Sequence, residues 1–257
     1  MDVNQFQEFL PLVTGFLGGA TSAGLFAGPV QTLQDWWYVN FGHTISTQAA
    51  LLKATREANV EKLKNDILQE VASIPPENVQ EPSIKILGPA LEASKYYIEE
   101  KELRKMFAKI IANSLDSQKS DKIHSSFIEI IKQLDVLDAK ILRYLKREQF
   151  GVQSAVPTMK IYLKLENGSR TILPLIFLTD EFTDISKNAV SLVNLERLGL
   201  ISIRTDAWLT DESNYDFTRN YPTITHILQN HPEFTLDKSC FSITEYGQNF
   251  IDSCVVE

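Results

Sequence analysis

Apolar residues recur at every third or fourth position through the first half of the chain, a period that predicts helices. Leu87, Leu91, Ser94 and Ile98 form one run; Leu103, Phe107, Ile110 and Ser114 form a second; Ile123, Phe127, Ile130 and Leu134 form a third. Residues so spaced share one face of a helix, which can bury a stripe and leave its charges in water. Residues 47–73 read as one long helix, with Val60, Leu63, Ile67, Val71 and Ile74 on the buried side and Glu57, Glu61, Lys62 and Lys64 on the wet side. Ile74-Pro75-Pro76 ends it, because a residue before proline is pushed out of the α region. The next helix is expected to start near Pro89, a residue suited to a first turn. Glu99 to Glu102 reads either as a corner or as an exposed turn of a continuing helix, and residues 116–121 read as a polar loop.

Beyond Leu134 the period changes. Asp135 can cap a helix that carries Leu137, Ile141, Tyr144 and Leu145, with Asp138 at the capping-box position. Lys160, Tyr162 and Lys164 then alternate with Ile161, Leu163 and Leu165, the period of a strand, and Asn167-Gly168 is expected to turn the chain into Thr171-Ile172-Leu173. Ser186 can cap a helix bearing Ala189, Leu192, Leu195 and Leu198, which Gly199 terminates. Residues 200–204 read as a strand and 241–244 as its partner; Thr244 can cap a last helix that buries Phe250, Ile251 and Cys254. This order resembles a winged helix. The expected fold class is therefore α+β, mainly α-helical. It comprises a segment at residues 1–45, a helical body at 46–134 and a winged-helix-like domain with a β-hairpin at 135–257.

The opening is different in kind. From Phe9 to Leu33 no residue is charged, and Gly15, Gly19, Ala23 and Ala27 repeat every four positions beside Ala20, Gly24 and Gly28. On a helix these would make a smooth face that another backbone can approach closely. Trp36, Trp37 and Tyr38 follow where interfacial aromatics would sit if the run met a bilayer. Two readings stay open: a small-residue helix packed within the body or against a second copy, and a membrane-active segment. A phosphate-binding glycine loop is excluded, because no Gly-Lys-Ser/Thr follows the glycines and no buried strand leads into them. The opening residues also lack the basic start of a secretory signal.

Composition narrows the function classes. The net charge is −8 over 257 residues, and hydrophobic residues at 44% fit a globular protein. Residues 84–150 hold thirteen Lys/Arg against ten Asp/Glu, whereas residues 151–257 hold eight against fourteen. Nucleic acid is thus an unexpected partner, since phosphate binding needs a concentrated basic face. The would-be recognition helix offers only Lys187 and Arg197 against Glu196. Cys240 and Cys254 have no metal-like spacing and read as small apolar residues of a reduced cytoplasmic protein. His124, beside a loop, has no nucleophile pattern around it. His226 and His231 are five apart rather than four, and the pairs Asp180-Glu181 and Asp211-Glu212 read as solvated loop acids. No catalytic, cofactor or metal set is expected.

One resemblance does emerge. Ile-Pro-Pro-Glu-Asn at 74–78, Gly-Pro-Ala-Leu-Glu at 88–92, the run from Glu102 to Asp116, His-Ser-Ser-Phe-Ile-Glu-Ile-Ile-Lys-Gln-Leu at 124–134 and Leu-Asp-Ala-Lys-Ile-Leu at 137–142 stand in that order. Leu-Glu-Arg-Leu-Gly-Leu-Ile at 195–201 and Thr-Glu-Tyr-Gly at 244–247 continue it. As a set they resemble the abortive infection alpha (Abi-alpha) family, a bacterial family of otherwise unknown function. The resemblance implies a role in phage defence and carries over no catalytic residue. The expected function is a non-enzymatic defence effector or sensor acting through contacts with a protein partner or phage component. Self-association and an inner-membrane step through residues 9–33 stay open. The alternative is a winged-helix regulator that binds DNA.

Overall fold

The computed structural model describes residues 50–256, with side chains from residue 58. The small-residue face (Gly15, Gly19, Ala20, Ala23, Gly24, Ala27, Gly28) and Trp36, Trp37 and Tyr38 lie outside the described residues. In chain order the elements are α1 (Ala50–Val71), α2 (Ile84–Tyr97), α3 (Lys101–Ser114), α4 (Phe127–Ile131), α5 (Val136–Arg147), β1 (Ala155–Leu165), β2 (Gly168–Ile176), α6 (Ile185–Arg197), β3 (Ile201–Arg204), α7 (Asp216–Arg219), α8 (Pro222–Asn230), β4 (Phe234–Ile243) and α9 (Glu245–Cys254). The class is α+β and mainly helical. Two compact units form: one from the described residues up to Ala139 together with those from Asn249 onward, the other from Lys140 to Gln248.

In the first unit the periodic positions are where burial concentrates. Leu87, Leu91, Ser94, Ile98, Leu103, Phe107, Ile110 and Ser114 are all buried. Glu99 and Glu100 form a corner: α2 stops at Tyr97 and α3 starts at Lys101. Two expectations need correction. Helix α2 begins at Ile84, with the Ser83 carbonyl accepting from Ile86 and Leu87 N–H groups, so Pro89 lies inside it. The third run is not one helix either. Residues 120–122 form a 3₁₀ turn, Ile123 is half-buried, and only Phe127–Ile131 is α-helical. Asp116, read as part of a polar loop, is buried; it pairs with Val79 in an isolated bridge, and its Oδ1 accepts from the Gln118 N–H at 3.0 Å. The last turns of α9 complete this core: the Phe250 ring meets Phe127 edge-on at 5.3 Å, and Asn113 Nδ2 donates to the Ser253 carbonyl at 2.9 Å. At the start of α5 the Asp135 N–H donates to Asp138 Oδ2 at 2.9 Å, one arm of the expected capping box.

The second unit is built on an antiparallel sheet of order β2-β1-β4-β3. Strands β1 and β4 pair continuously from Ala155↔Ser242 to Leu163↔Phe234. Their buried Thr158 and Ser239 hydroxyls lie opposite each other and hydrogen-bond at 2.8 Å. Strand β3 pairs with the end of β4, Ile201↔Ile243 through Arg204↔Cys240, the pairing the sequence implies. The hairpin turn sits one residue earlier than expected: Glu166 and Asn167 form it, and Gly168 already pairs with Leu165. The connection from Thr205 to Glu233 is long because it is itself a layer. Its Tyr215 and Ile224 join Met159, Ile161, Ile176 and Leu178 in one core cluster.

Both ends of α6 show local chemistry. Its amino-terminal cap is Asp184, whose Oδ1 accepts from the Lys187 N–H at 3.0 Å, not Ser186. A carboxylate one turn before the first buried residue competes better for that N–H than a hydroxyl already inside the helix. At the far end Gly199 takes φ +74° and terminates the helix as expected. Thr244 likewise caps α9, its Oγ1 accepting from the Gly247 N–H at 2.8 Å and donating to the Gly199 carbonyl.

Candidate functional site

Helix α6 buries Asn188, Ser191, Leu192 and Leu195, half-buries Ile185, Ala189 and Asn194, and turns its remaining residues to solvent. On that outer side stand two valines one turn apart, Val190 at 71% and Val193 at 55% exposure. Exposed β-branched residues that close together form a small apolar stripe of the kind that marks a contact surface when polar residues rim it. Lys187 and Arg197 lie three and four positions beyond its ends, on the same side. Both cations are exposed, and each has a partner on its own helix or at its cap. The Lys187 ammonium stands 3.2 Å from Asp184, and the Arg197 guanidinium donates from Nε and Nη2 to Asn194 Oδ1 at 3.1 and 2.7 Å. The Asp184 carboxyl sits below its usual range, first because it accepts the Lys187 N–H and then because of the Lys187 side chain. Glu196 is turned away, its Oε1 accepting from the Ile203 N–H at 2.8 Å. The surface is therefore apolar at its centre and electrostatically satisfied at its edges.

A second group of side chains fastens the 205–233 connection to β4. Glu212 is clasped by Lys238 and Arg219, which hold its carboxyl below the ordinary range, Lys238 contributing most. Tyr215 is buried, which raises its pKa; its hydroxyl accepts from the Leu209 N–H at 2.8 Å and donates to the Ser239 carbonyl at 3.2 Å. Trp208 is half-exposed with the Lys238 ammonium 5.7 Å from its ring. Each charge here meets its opposite, so this cluster reads as an anchor rather than as a reactive centre.

The residues weighed for chemistry are placed as follows. His124 Nδ1 meets Ser126 Oγ at 2.6 Å and accepts the Ser126 N–H at 3.2 Å, a local turn at the surface. His226 meets Asn230, and His231 stacks on Phe234 beside Glu233, so the two histidines have separate neighbours. Asp211 accepts from Ser213, and Glu181 takes Arg147; both carboxyls are lowered by those hydrogen bonds. Cys240 and Cys254 are buried and not joined in a disulfide; burial pushes the Cys240 thiol up. Among the described residues no group of three or more His, Cys, Asp or Glu side chains is gathered as a metal ion would require. No helix among them is long and apolar enough to cross a membrane.

Sequence reasoning missed the α6 valines. The signal was present: Val190 and Val193 fall between the buried positions 188, 191, 192 and 195, off the stripe that the helix uses for its own core. Comparison with known proteins adds one finding: a family model described as abortive infection alpha matches residues 55–254. No curated protein and no solved structure matches the chain.

Proposed function

Because the chain belongs to the abortive infection alpha family, we propose that it serves phage defence as a non-enzymatic effector or sensor, acting through protein contacts made by the exposed face of α6. Membership points to the defence role; the surface points to the manner. The observation that carries the reading is the Val190–Val193 stripe, apolar and open on a helix that buries Leu192 and Leu195 and half-buries Ile185 and Ala189. A protein partner would cover it, and covering apolar area is the main source of association energy.

The arrangement of α6, β3, the long connection and β4 supports a winged-helix-like reading, in which α6 takes the place of a recognition helix. That position does not make the domain a DNA reader. Base-edge and phosphate contacts need Arg and Lys donors, whereas α6 offers only Lys187 and Arg197, at its two ends, and valines occupy the centre.

The test is a Val190→Asp, Val193→Asp double variant in cells challenged with phage. Both positions are exposed, so folding and expression are expected to be unchanged while protection is lost. Full protection by the double variant would sink the proposal. A gel shift with duplex DNA at low salt discriminates the alternative, because backbone-driven binding appears there and fades as salt rises. The uncharged run at residues 9–33 supports a further step at the inner membrane. Fractionation of infected cells checks it, and recovery of the whole protein in the soluble fraction before and after infection removes that step.

A further inference from the structure

The sheet of the second unit ends differently on its two sides. At β3 the outward Ile203 N–H is taken by the Glu196 carboxylate, which closes that edge. At β2 residues 168–171 are all exposed, and among the described residues nothing pairs with their outer main chain. The turn at Glu166 and Asn167 decides which groups point out. Leu165 and Gly168 flank it as a hydrogen-bonded pair, and pairs alternate from there. Arg170 is thus bonded to Leu163, while Ser169 and Thr171 turn their N–H and C=O groups away from β1. Beyond Thr171 the register shifts and Pro174 offers no donor, so the open stretch is short.

The side chains along this edge carry one sign. Residues 155–176 hold Lys160, Lys164 and Arg170 against a single acid, Glu166, in a part of the chain that is otherwise acidic. Lys160 is engaged by Asp237, but Lys164 and Arg170 are exposed with no carboxylate partner among the described residues. Ser169, which pairs with Lys164, is small, so the lysine stem can lie across it to reach a residue on its far side. Gly168 has open space where a Cβ would stand, and Leu165, its partner in the register, is left half-exposed. We propose that the β2 edge binds an extended acidic segment of another protein by strand addition. Carboxylates opposite Arg170 and Ser169 meet Arg170 and Lys164, and an apolar residue opposite Gly168 covers Leu165. A second copy is the poorer occupant, because pairing two β2 edges brings Lys164 and Arg170 of both copies together. Binding here is independent of the Val190–Val193 stripe.

The test titrates a labelled peptide, Glu-Glu-Val set among threonines, onto the full chain and follows fluorescence anisotropy. Saturable binding is expected, and a Lys-Lys-Val counterpart is expected not to bind. Arg170→Glu, an exposed change that leaves the circular dichroism as it was, is expected to weaken the acidic peptide about fivefold. Methylating the main-chain nitrogens of the peptide is expected to abolish binding to the unaltered protein, since strand addition runs through those N–H groups. Thr171→Pro, tolerated where the N–H of an edge strand faces solvent, is expected to do the same from the protein side. Failure of the acidic peptide to bind, equal binding of the lysine peptide, or indifference to methylation would overturn the proposal. So would a stable dimer in sedimentation whose β2 amides are protected from exchange, which would give the edge to a second copy.

Discussion

Two helix ends in the second unit close by the same motif with different residues. After α6 the Leu200 N–H returns to the Leu195 carbonyl and the Gly199 N–H to the Glu196 carbonyl. After α5 the Phe150 N–H returns to Leu145 and the Gln149 N–H to Lys146, and Gln149 takes φ 57°. The left-handed position costs a residue with a Cβ about 1–2 kcal/mol and glycine little. Gln149→Gly is therefore expected to raise stability by about 0.5–1 kcal/mol, and Gly199→Ala to lower it by about 1–2 kcal/mol, in urea unfolding. Gly199 announced its helix end in the sequence and Gln149 did not, because the glutamine is held there by the two returning hydrogen bonds and not by its own preference. Gly247 is needed for a different reason. A Cβ there would lie 1.9 Å from the Leu200 carbonyl oxygen, a backbone atom that cannot swing aside. Gly247→Ala should cost about 3 kcal/mol or more, read as a lowered melting temperature, since relief requires moving either β3 or the first turn of α9.

At the scale of elements, periodicity found α1, α2, α3, α5, α6, α9 and the strands but not α7 and α8 in the long connection, and element ends went astray where local hydrogen bonding decided. Pro89 sits within α2 because the chain had already turned helical on the Ser83 carbonyl. Asp184 displaced Ser186 as the cap of α6. The α6 surface was hidden for another reason: the sequence reading followed the buried stripe of Ala189, Leu192, Leu195 and Leu198 and asked nothing of the valines between them. Several elements of the second unit are pinned by carboxylates that titrate below their usual range: Asp184 at the start of α6, Glu181 on Arg147, Asp206 on Arg204, and Glu212 between Lys238 and Arg219. A carboxylate depressed in the folded state contributes stability that is present above its unfolded pKa, about 4, and is lost as pH falls through the lower folded value. The melting temperature of the second unit is thus expected to decline as pH drops from about 5 to about 3. Asp184→Asn, which keeps an acceptor for the Lys187 N–H but no longer titrates, should make that decline shallower. An identical pH profile for the variant would remove Asp184 from the account.

For the molecule as a whole, two acidic regions flank a slightly basic helical one. Both thiols are buried, so thiol reagents are expected to label the native protein slowly and the urea-unfolded protein at once. Rapid labelling in the native state would show that the cores of the two units open readily. The first unit takes its last pieces from far along the chain: Asn113 finds the carbonyl of Ser253 140 positions later, and Phe127 finds Phe250. A chain cut after Gln248 should therefore leave that unit without its edge-on phenyl contact and with a buried amide unmatched, and far-ultraviolet circular dichroism should show it melting early.

The return of α9 to the first unit also sets a clock on biosynthesis. Helices α1 to α4 leave the ribosome early, yet their shared core stays incomplete until residues 249–255 have emerged, after the intervening sheet has had time to form. A nascent or prematurely terminated chain would present Phe127 and Asn113 unsealed, a state for chaperones and proteases to act on before a finished defence protein exists.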